Sequence, residues 1–383
     1  MNLSLSDEQV FLREAARGAL SRFKTLEGAR EALDGDKQAL PDLWPTACEA
    51  GWPGLLISEE QGGAGLDVFD AMLVLGECGR VIAGVALLGH LPASAILDAS
   101  GENAPLLGEL ASGEKRAAYL PVCPPGDLEQ SWTVDATSGS ARAAAPVASG
   151  SGEALTVSGN LAWVPDAPGA DLLVGVAMLD TPQGGTGGTP VGVAIQAGAR
   201  GVSIEAVERY DATRSLGQIK LENAPATLLG ASEETLAAAW HLAQALIAAE
   251  SLGSVETALD VSVAYAKERY TFGRAIGSYQ AVKHSLTEVL RELENGRSLL
   301  YYAGWAREGA PGEFPLAASA ARSVAGRALD DAARTMISVH GGIGATWEHD
   351  APLYFRRAQL SRRLLGGTGG ATDRVAGELI AQA

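Results

Sequence analysis

The sequence predicts a mainly α-helical protein with a central β domain, and three observations lead there. Apolar residues recur at helical spacing towards both ends of the 383-residue chain. Between those ends the texture changes to short apolar runs broken by Gly, Pro, Asp and Ser, the pattern of strands and turns. Strands and helices do not alternate, so a doubly wound nucleotide-binding sheet is disfavoured. The divisions read as an N-terminal α-helical domain over 1–115, a middle β-barrel or sandwich domain over 116–226 and a C-terminal helical bundle over 227–383.

Near the N-terminus, Ser6 is placed to cap a helix carrying Val10, Phe11, Ala15, Leu20 and Phe23. A second helix is expected over about 67–79, with Met72, Leu73 and Leu75 on it. The stretch before it, Ile57 to Leu66, holds Gly62, Gly63 and Gly65, punctuation that a helix does not tolerate. In the middle, Tyr119–Val122, Leu172–Val176 and Val191–Ile195 read as strands. The Gly-Gly-Thr-Gly-Gly-Thr run at 184–189 reads as a hairpin tip; no lysine follows it, so it is no phosphate loop. Ser232 then caps a helix with Glu233 and Glu234 in its first turn. Running to about Lys267, that helix should turn Leu236, Trp240, Ala243, Ile247 and Val255 inward. Further helices are expected at about 279–307, 315–339, 351–365 (Pro352 near its start) and, beyond a glycine cluster, 371–382.

A net charge of −17 argues against nucleic acid and against an anionic membrane surface, both of which need a basic face. A polyanionic ligand would have to be met locally, by arginines or helix N-termini. Arg356, Arg357, Arg362 and Arg363 are one such cluster, and equally a solvated helix face. Cys48, Cys78 and Cys123 show neither metal spacing nor a disulfide framework. No apolar run approaches the ~20 residues that span a bilayer, and the chain opens without a basic, apolar leader. The expectation is a cytoplasmic protein that binds no metal.

Three motifs carry chemistry. The first is Glu268-Arg269-Tyr270-Thr271-Phe272-Gly273-Arg274-Ala275-Ile276-Gly277-Ser278-Tyr279-Gln280-Ala281-Val282-Lys283-His284. The second runs His340-Gly341-Gly342-Ile343-Gly344-Ala345-Thr346-Trp347-Glu348-His349-Asp350, and the third is Glu59 to Leu66. In this order and spacing the chain resembles the acyl-CoA dehydrogenase family over nearly its whole length. The resemblance implies FAD lying across a subunit interface. Arg269, Thr271, Phe272 and Gln280, with His340, Gly341, Gly342 and Gly344, would then serve the dinucleotide end of a neighbour's cofactor. An arginine fork suits phosphate oxygens, and glycines let the main chain approach a ligand. Singly, Arg269 also reads as a cation at a helix C-terminus and His340-Gly341-Gly342 as a helix stop.

Against the family pattern, the catalytic carboxylate is missing. The family's usual Glu before Gly-Thr falls here on Gly366, and the position used by a minority of members falls at about Ala243. No catalytic residue is therefore assigned. Glu250, seven residues beyond Ala243 and so ~10 Å along a helix, reads as a structural acid or a relocated base; Asp373 is the other candidate. The family's flavin-ring loops correspond to 122–127 and to Trp163-Val164-Pro165-Asp166, where Pro165 has no N–H or hydroxyl to give. The resemblance thus implies a subunit of an α2β2 flavin-dependent acyl-CoA dehydrogenase. It would lack the base and complete the FAD site of a homologous catalytic subunit. Its substrate would be an acyl-CoA, including bulky steroid side-chain thioesters, with an electron-transfer flavoprotein as acceptor. A self-sufficient homotetramer using Glu250 or Asp373, and a flavin-free structural or regulatory relative, are the alternatives.

Overall fold

Ser6 does cap the first helix, α1 (Asp7–Leu20): its side chain accepts from the Gln9 N–H while Gln9 reaches back, a reciprocal capping box. The computed structural model in which this is seen describes residues 4–101, 104–122, 145–180 and 188–381. Five more helices follow: α2 (Thr25–Leu33), α3 (Trp44–Glu49), α4 (Val68–Arg80), α5 (Leu87–Ala99) and α6 (Ala104–Ser112). Asp67 caps α4 through a second reciprocal box with Asp70. Phe11, on the apolar pattern of α1, points outward and is 73% exposed.

Among the described residues the middle sheet has eight strands: β1 (Ala117–Leu120), β2 (Val147–Ser149), β3 (Thr156–Pro165), β4 (Leu172–Leu179), β5 (Thr189–Gln196), β6 (Val202–Ala206), β7 (Leu216–Pro225) and β8 (Thr227–Leu229). They lie in the order β6-β7-β3-β2-β4-β5-β8, with β1 parallel to β4. β4 pairs antiparallel with β5 over its whole length, from Leu172–Gln196 to Leu179–Thr189. Thr189, the last residue of the glycine-rich run, therefore starts a strand, while 181–187 lie outside the described residues.

The C-terminal part opens with α7 (Glu233–Glu268), capped by Ser232, whose side chain accepts from the Thr235 N–H. The inward-facing set expected on it, Leu236, Trp240, Ala243, Ile247 and Val255, is buried throughout. A small hairpin of β9 (Tyr270–Thr271) and β10 (Arg274–Ala275) leads to α8 (Gln280–Gly309), α9 (Phe314–His340), α10 (Ala351–Ser361) and α11 (Gly367–Ala381). The glycine cluster is no linker: α11 begins inside it, at Gly367.

α7 packs against α9, α4, α8 and α5, so it links the N-terminal helices to the C-terminal bundle. It crosses α4 at glycine on each side. A Cβ on Gly79 would lie 1.9 Å from the Glu250 carbonyl oxygen, and one on Gly253 equally close to that of Gly76. This near-contact of backbones brings Glu250 to the end of α4.

Candidate active site

Gly366, the position that resemblance assigns to the family's base, lies in a tight turn. Leu365, Gly366 and Gly367 have φ of 51°, 82° and 74°, three successive residues in the left-handed region that L side chains rarely adopt. A Cβ on Gly366 would lie 2.8 Å from Cζ2 of Trp240, a buried ring on α7. The turn is held on both sides. Gln244 donates from Nε2 to the Leu365 carbonyl, and Arg322 donates from Nη2 to the carbonyls of Ser361 (2.6 Å) and Leu364 (3.2 Å). Arg322 is fully buried, and desolvation, with Arg214 nearby, pulls its pKa down to about 9. The alternative base position, Ala243, is buried in the core of α7.

Beside this turn lies a buried ion network. Arg357 donates from Nε to Asp211 Oδ2 (2.7 Å) and from Nη1 to Glu250 Oε1 (2.6 Å), and also reaches the Thr213 hydroxyl. Arg214 pairs with the other Glu250 oxygen and donates to Ser361 Oγ at 2.8 Å. Asp211 is fixed in turn by the Thr213 N–H (3.0 Å) and hydroxyl (2.6 Å). Burial pushes the Asp211 carboxyl up, but Arg357 and Arg214 outweigh it and hold the group below the usual carboxylate range. Both oxygens of Glu250 are thus engaged by arginines. Arg357 is no part of a solvated face; it is 1% exposed at the centre of this network. Of its neighbours in the sequence cluster, Arg356 stacks over Trp347 and donates to the Tyr210 carbonyl, and Arg362 meets Asp330. Asp373 is exposed on α11.

Sequence reading missed most of this network. Asp211-Ala212-Thr213-Arg214 is a polar run at the entrance to β7 with the spacing of a side-chain-closed turn, which was the available signal.

A partly open pocket of about 220 Å³ lies against the network, with Asp166, Arg116, Arg214, Val85 and Pro165 among its walls. Asp166 Oδ2 accepts from the Gly89 N–H at 2.8 Å. Desolvation pushes its pKa up to about 7, against the Gly89 hydrogen bond and the pull of Arg214. Trp163 adopts φ of 57°; the guanidinium of Arg209 covers its ring at 4.5 Å from the centroid, and the indole Nε1 is buried without a partner.

The residues expected at a neighbour's cofactor divide in two. Arg269, Thr271, Phe272 and Gln280 are all exposed, Phe272 at 92%. Thr271 and Phe272 line an open groove of about 640 Å³ with Tyr279 and, from α9, Arg334, Ser338 and Val339. Gly341 and Gly342 are exposed at the end of α9, where Gly341 turns the chain with φ of 62°. His340 and Gly344 do not share that surface. His340 is buried, its Nδ1 2.7 Å from the Met336 carbonyl and its ring between Tyr265 and His349. Gly344 is buried because a Cβ would come within 2.6 Å of the Ile337 carbonyl oxygen. No cluster of three or more His, Cys, Asp or Glu among the described residues could hold a metal, and no described helix is long and apolar enough to cross a membrane.

Helical ends around a β sheet, with a glycine turn at the end of the last long bundle helix, define a flavin-dependent dehydrogenase architecture. The N-terminal domain of acyl-CoA dehydrogenases matches residues 6–123 and the C-terminal domain residues 236–380. The chain is 30% identical over 362 residues to the acyl-CoA dehydrogenase IpdE2 of Mycobacterium tuberculosis, covering 94% of this chain and 93% of that protein. Among solved structures it is similar to a variant of the Tcur3481–Tcur3483 steroid ACAD, at 28% identity and TM-score 0.84, over 99% of each chain. The ChsE4–ChsE5 complex of Mycobacterium tuberculosis matches at 25% identity and the same TM-score and coverage. The chain belongs to the acyl-CoA dehydrogenase family, FAD-carrying oxidoreductases that act on CH–CH bonds.

An FAD of the chain's own does not fit the described residues. Pro165 gives no donor, the Trp163 ring is covered by Arg209, and Trp240 fills the space at Gly366. The adjoining cavity of about 220 Å³ is smaller than the roughly 300–1,000 Å³ of pockets that enclose a drug-sized ligand. The loop corresponding to the family's other flavin segment, with Cys123, lies almost wholly outside the described residues.

Proposed function

We propose that this chain is the subunit of a heteromeric, α2β2 acyl-CoA dehydrogenase that has no catalytic base. It would complete the FAD site of a related subunit that does have one. The observation that carries the proposal is the indole of Trp240 standing where a side chain at Gly366 would have to go. The α-proton of an acyl-CoA must be taken by a group within hydrogen-bond reach of it, and neither acid weighed for that role is placed to do so. Glu250 is held by Arg357 and Arg214, and Asp373 sits on an exposed helix face.

What the chain offers instead is a surface. Arg269 is exposed without an ion pair among the described residues, and Thr271, Phe272, Gln280, Gly341 and Gly342 lie open. A guanidinium suits the pyrophosphate of a partner's FAD, and the bare backbone at Gly341 and Gly342 allows close approach. FAD would supply hydride acceptance on the partner; this chain would hold and orient it. The substrate class is the CoA thioester of a bulky, steroid-derived acyl group, supported by similarity to a steroid ACAD and to a two-protein complex. An electron-transfer flavoprotein would take the electrons onward.

The test is to express the chain alone and together with a related subunit that keeps the Glu-Gly-Thr signature, and to assay acyl-CoA oxidation with a dye acceptor. Turnover is expected only in the pair, and replacing the partner's glutamate should abolish it. Turnover by the lone chain, lost on Glu250→Gln or Asp373→Asn, would overturn the reading.

A further inference from the structure

The hairpin that carries Phe272 is held in a shape its own sequence does not favour. Thr271 pairs with Arg274, and the two residues between them, Phe272 and Gly273, have φ of 52° and 80°. A type I′ turn requires positive φ at both of these positions and is normally filled by Asn-Gly or Asp-Gly. Glycine takes that conformation freely, but a bulky side chain does so under strain. Nothing inside the chain offsets that strain, because Phe272 is 92% exposed. Each strand is two residues long, and an isolated two-stranded hairpin is marginal in water. A contact beyond the ladder must hold it.

Tyr279 supplies that contact. Its hydroxyl donates to the Thr271 carbonyl at 3.1 Å, and the guanidinium of Arg274 lies over its ring at 4.0 Å from the centroid. One side chain therefore grips both strands, β9 through Thr271 and β10 through Arg274. Its own backbone is fixed, because Tyr279 is the residue from which α8 starts. Its N–H donates to the Ile276 carbonyl at 3.1 Å, and its carbonyl accepts from the Lys283 N–H at 3.1 Å. A further bond, from the Ile276 N–H to the Arg269 carbonyl at 2.8 Å, ties the exit of the hairpin to its entrance.

We propose that Tyr279 is a positioning residue: it clasps the β9–β10 hairpin so that Thr271, Phe272 and the neighbouring Arg269 stand ready for a partner's cofactor before it arrives. This role rests on the reading of the surface as the one that completes a related subunit's FAD site. Tyr279 acts through its neighbours, lining the groove of about 640 Å³ beside Thr271 and Phe272. A loop already in its bound shape loses less freedom on binding, so order in the free chain becomes tighter holding of the ligand. Removing the hydroxyl takes away one exposed hydrogen bond, which corresponds to roughly a three- to tenfold change in how often the hairpin opens. Removing the ring takes the Arg274 contact as well, for about tenfold or more.

The experiment reads the hairpin and the flavin separately. Amide hydrogen exchange over 269–276 is followed by mass spectrometry on the full-length lone chain. It should quicken by roughly three- to tenfold in Tyr279→Phe and further in Tyr279→Leu, with the denaturant midpoint unmoved. FAD dissociation from the assembled pair should quicken in the same order. Because the loss is in holding the cofactor and not in the chemistry, excess FAD should return the Tyr279→Phe pair to full turnover. Unchanged exchange in both variants would overturn the clasp. Faster exchange with unchanged FAD dissociation, or a turnover loss that excess FAD does not restore, would overturn the positioning role. A parent pair that never holds FAD would fail the reading of the surface and the positioning role with it, while the exchange data still decide whether Tyr279 clasps the hairpin.

Discussion

Two regions of this molecule that family resemblance would place at a flavin site differ in kind. Around Gly366 the packing is tight: an indole meets the side-chain space, Arg322 and Gln244 hold the turn, and four charges pair with one another nearby. At the β9–β10 hairpin and the end of α9, groups of the same polarity stay exposed. Buried charges are costly unless paired, which is why the four around Glu250 form a closed set. An exposed arginine, being solvated, needs no such partner within the chain.

The largest effect that can break this contrast is at Glu250. Glu250→Ala leaves Arg214 buried without an ion pair and Arg357 with Asp211 alone, and should destabilise the chain by roughly 3–5 kcal/mol, read by denaturant unfolding. Arg269→Ala should leave that unfolding curve unmoved, yet weaken FAD retention in the assembled pair by at least about tenfold. If both substitutions act on stability, or both only on flavin, the two regions are not different in kind.

Gly366→Glu comes next. It meets both the left-handed backbone and the Trp240 ring, so a loss of about 1–3 kcal/mol without gain of activity is expected. Pairing it with Trp240→Ala should recover part of the stability. An active, stable Gly366→Glu single variant would show the site to be open.

The pH response gives a sign rather than a size. Asp166 is raised from 3.8 to about 7, so its contribution is fully present below pH 4 and is lost as pH rises towards 7. Asp211 is depressed and contributes above the unfolded value, losing that contribution in acid. His90 and His241, pulled down to about 4 by burial, likewise lose stability as pH falls from 6.5. Asp166→Asn should therefore gain on the parent chain at pH 8 and not at pH 4. The smallest effect is expected at Phe272, where replacement by Ala should change the unfolding free energy by no more than about 0.5 kcal/mol.

What could be read from the sequence was local. The caps at Ser6 and Ser232 and the inward face of α7 depend on residues three to eight positions apart, and all are as expected. That the family's base position falls on Gly366 is a reading of resemblance alone. The blockade by Trp240 was not legible, because that ring meets the glycine only through packing of α7 on the last turn. Arg357 looked like one of a solvated row since its carboxylates stand 146 and 107 residues away, at Asp211 and Glu250. His340 looked like a ligand-facing residue because its neighbours Gly341 and Gly342 are; a helix end turns successive side chains in different directions, and this one turns into the core. Phe11 erred the other way, an apolar residue on an apolar pattern that points to solvent.

The central claim is that the chain holds a partner's flavin and none of its own. Flavin content against protein content, measured on the purified chain and on the purified pair, tests it most directly. A colourless lone chain and one FAD per heterodimer are predicted; one tightly held FAD per lone chain would contradict the account.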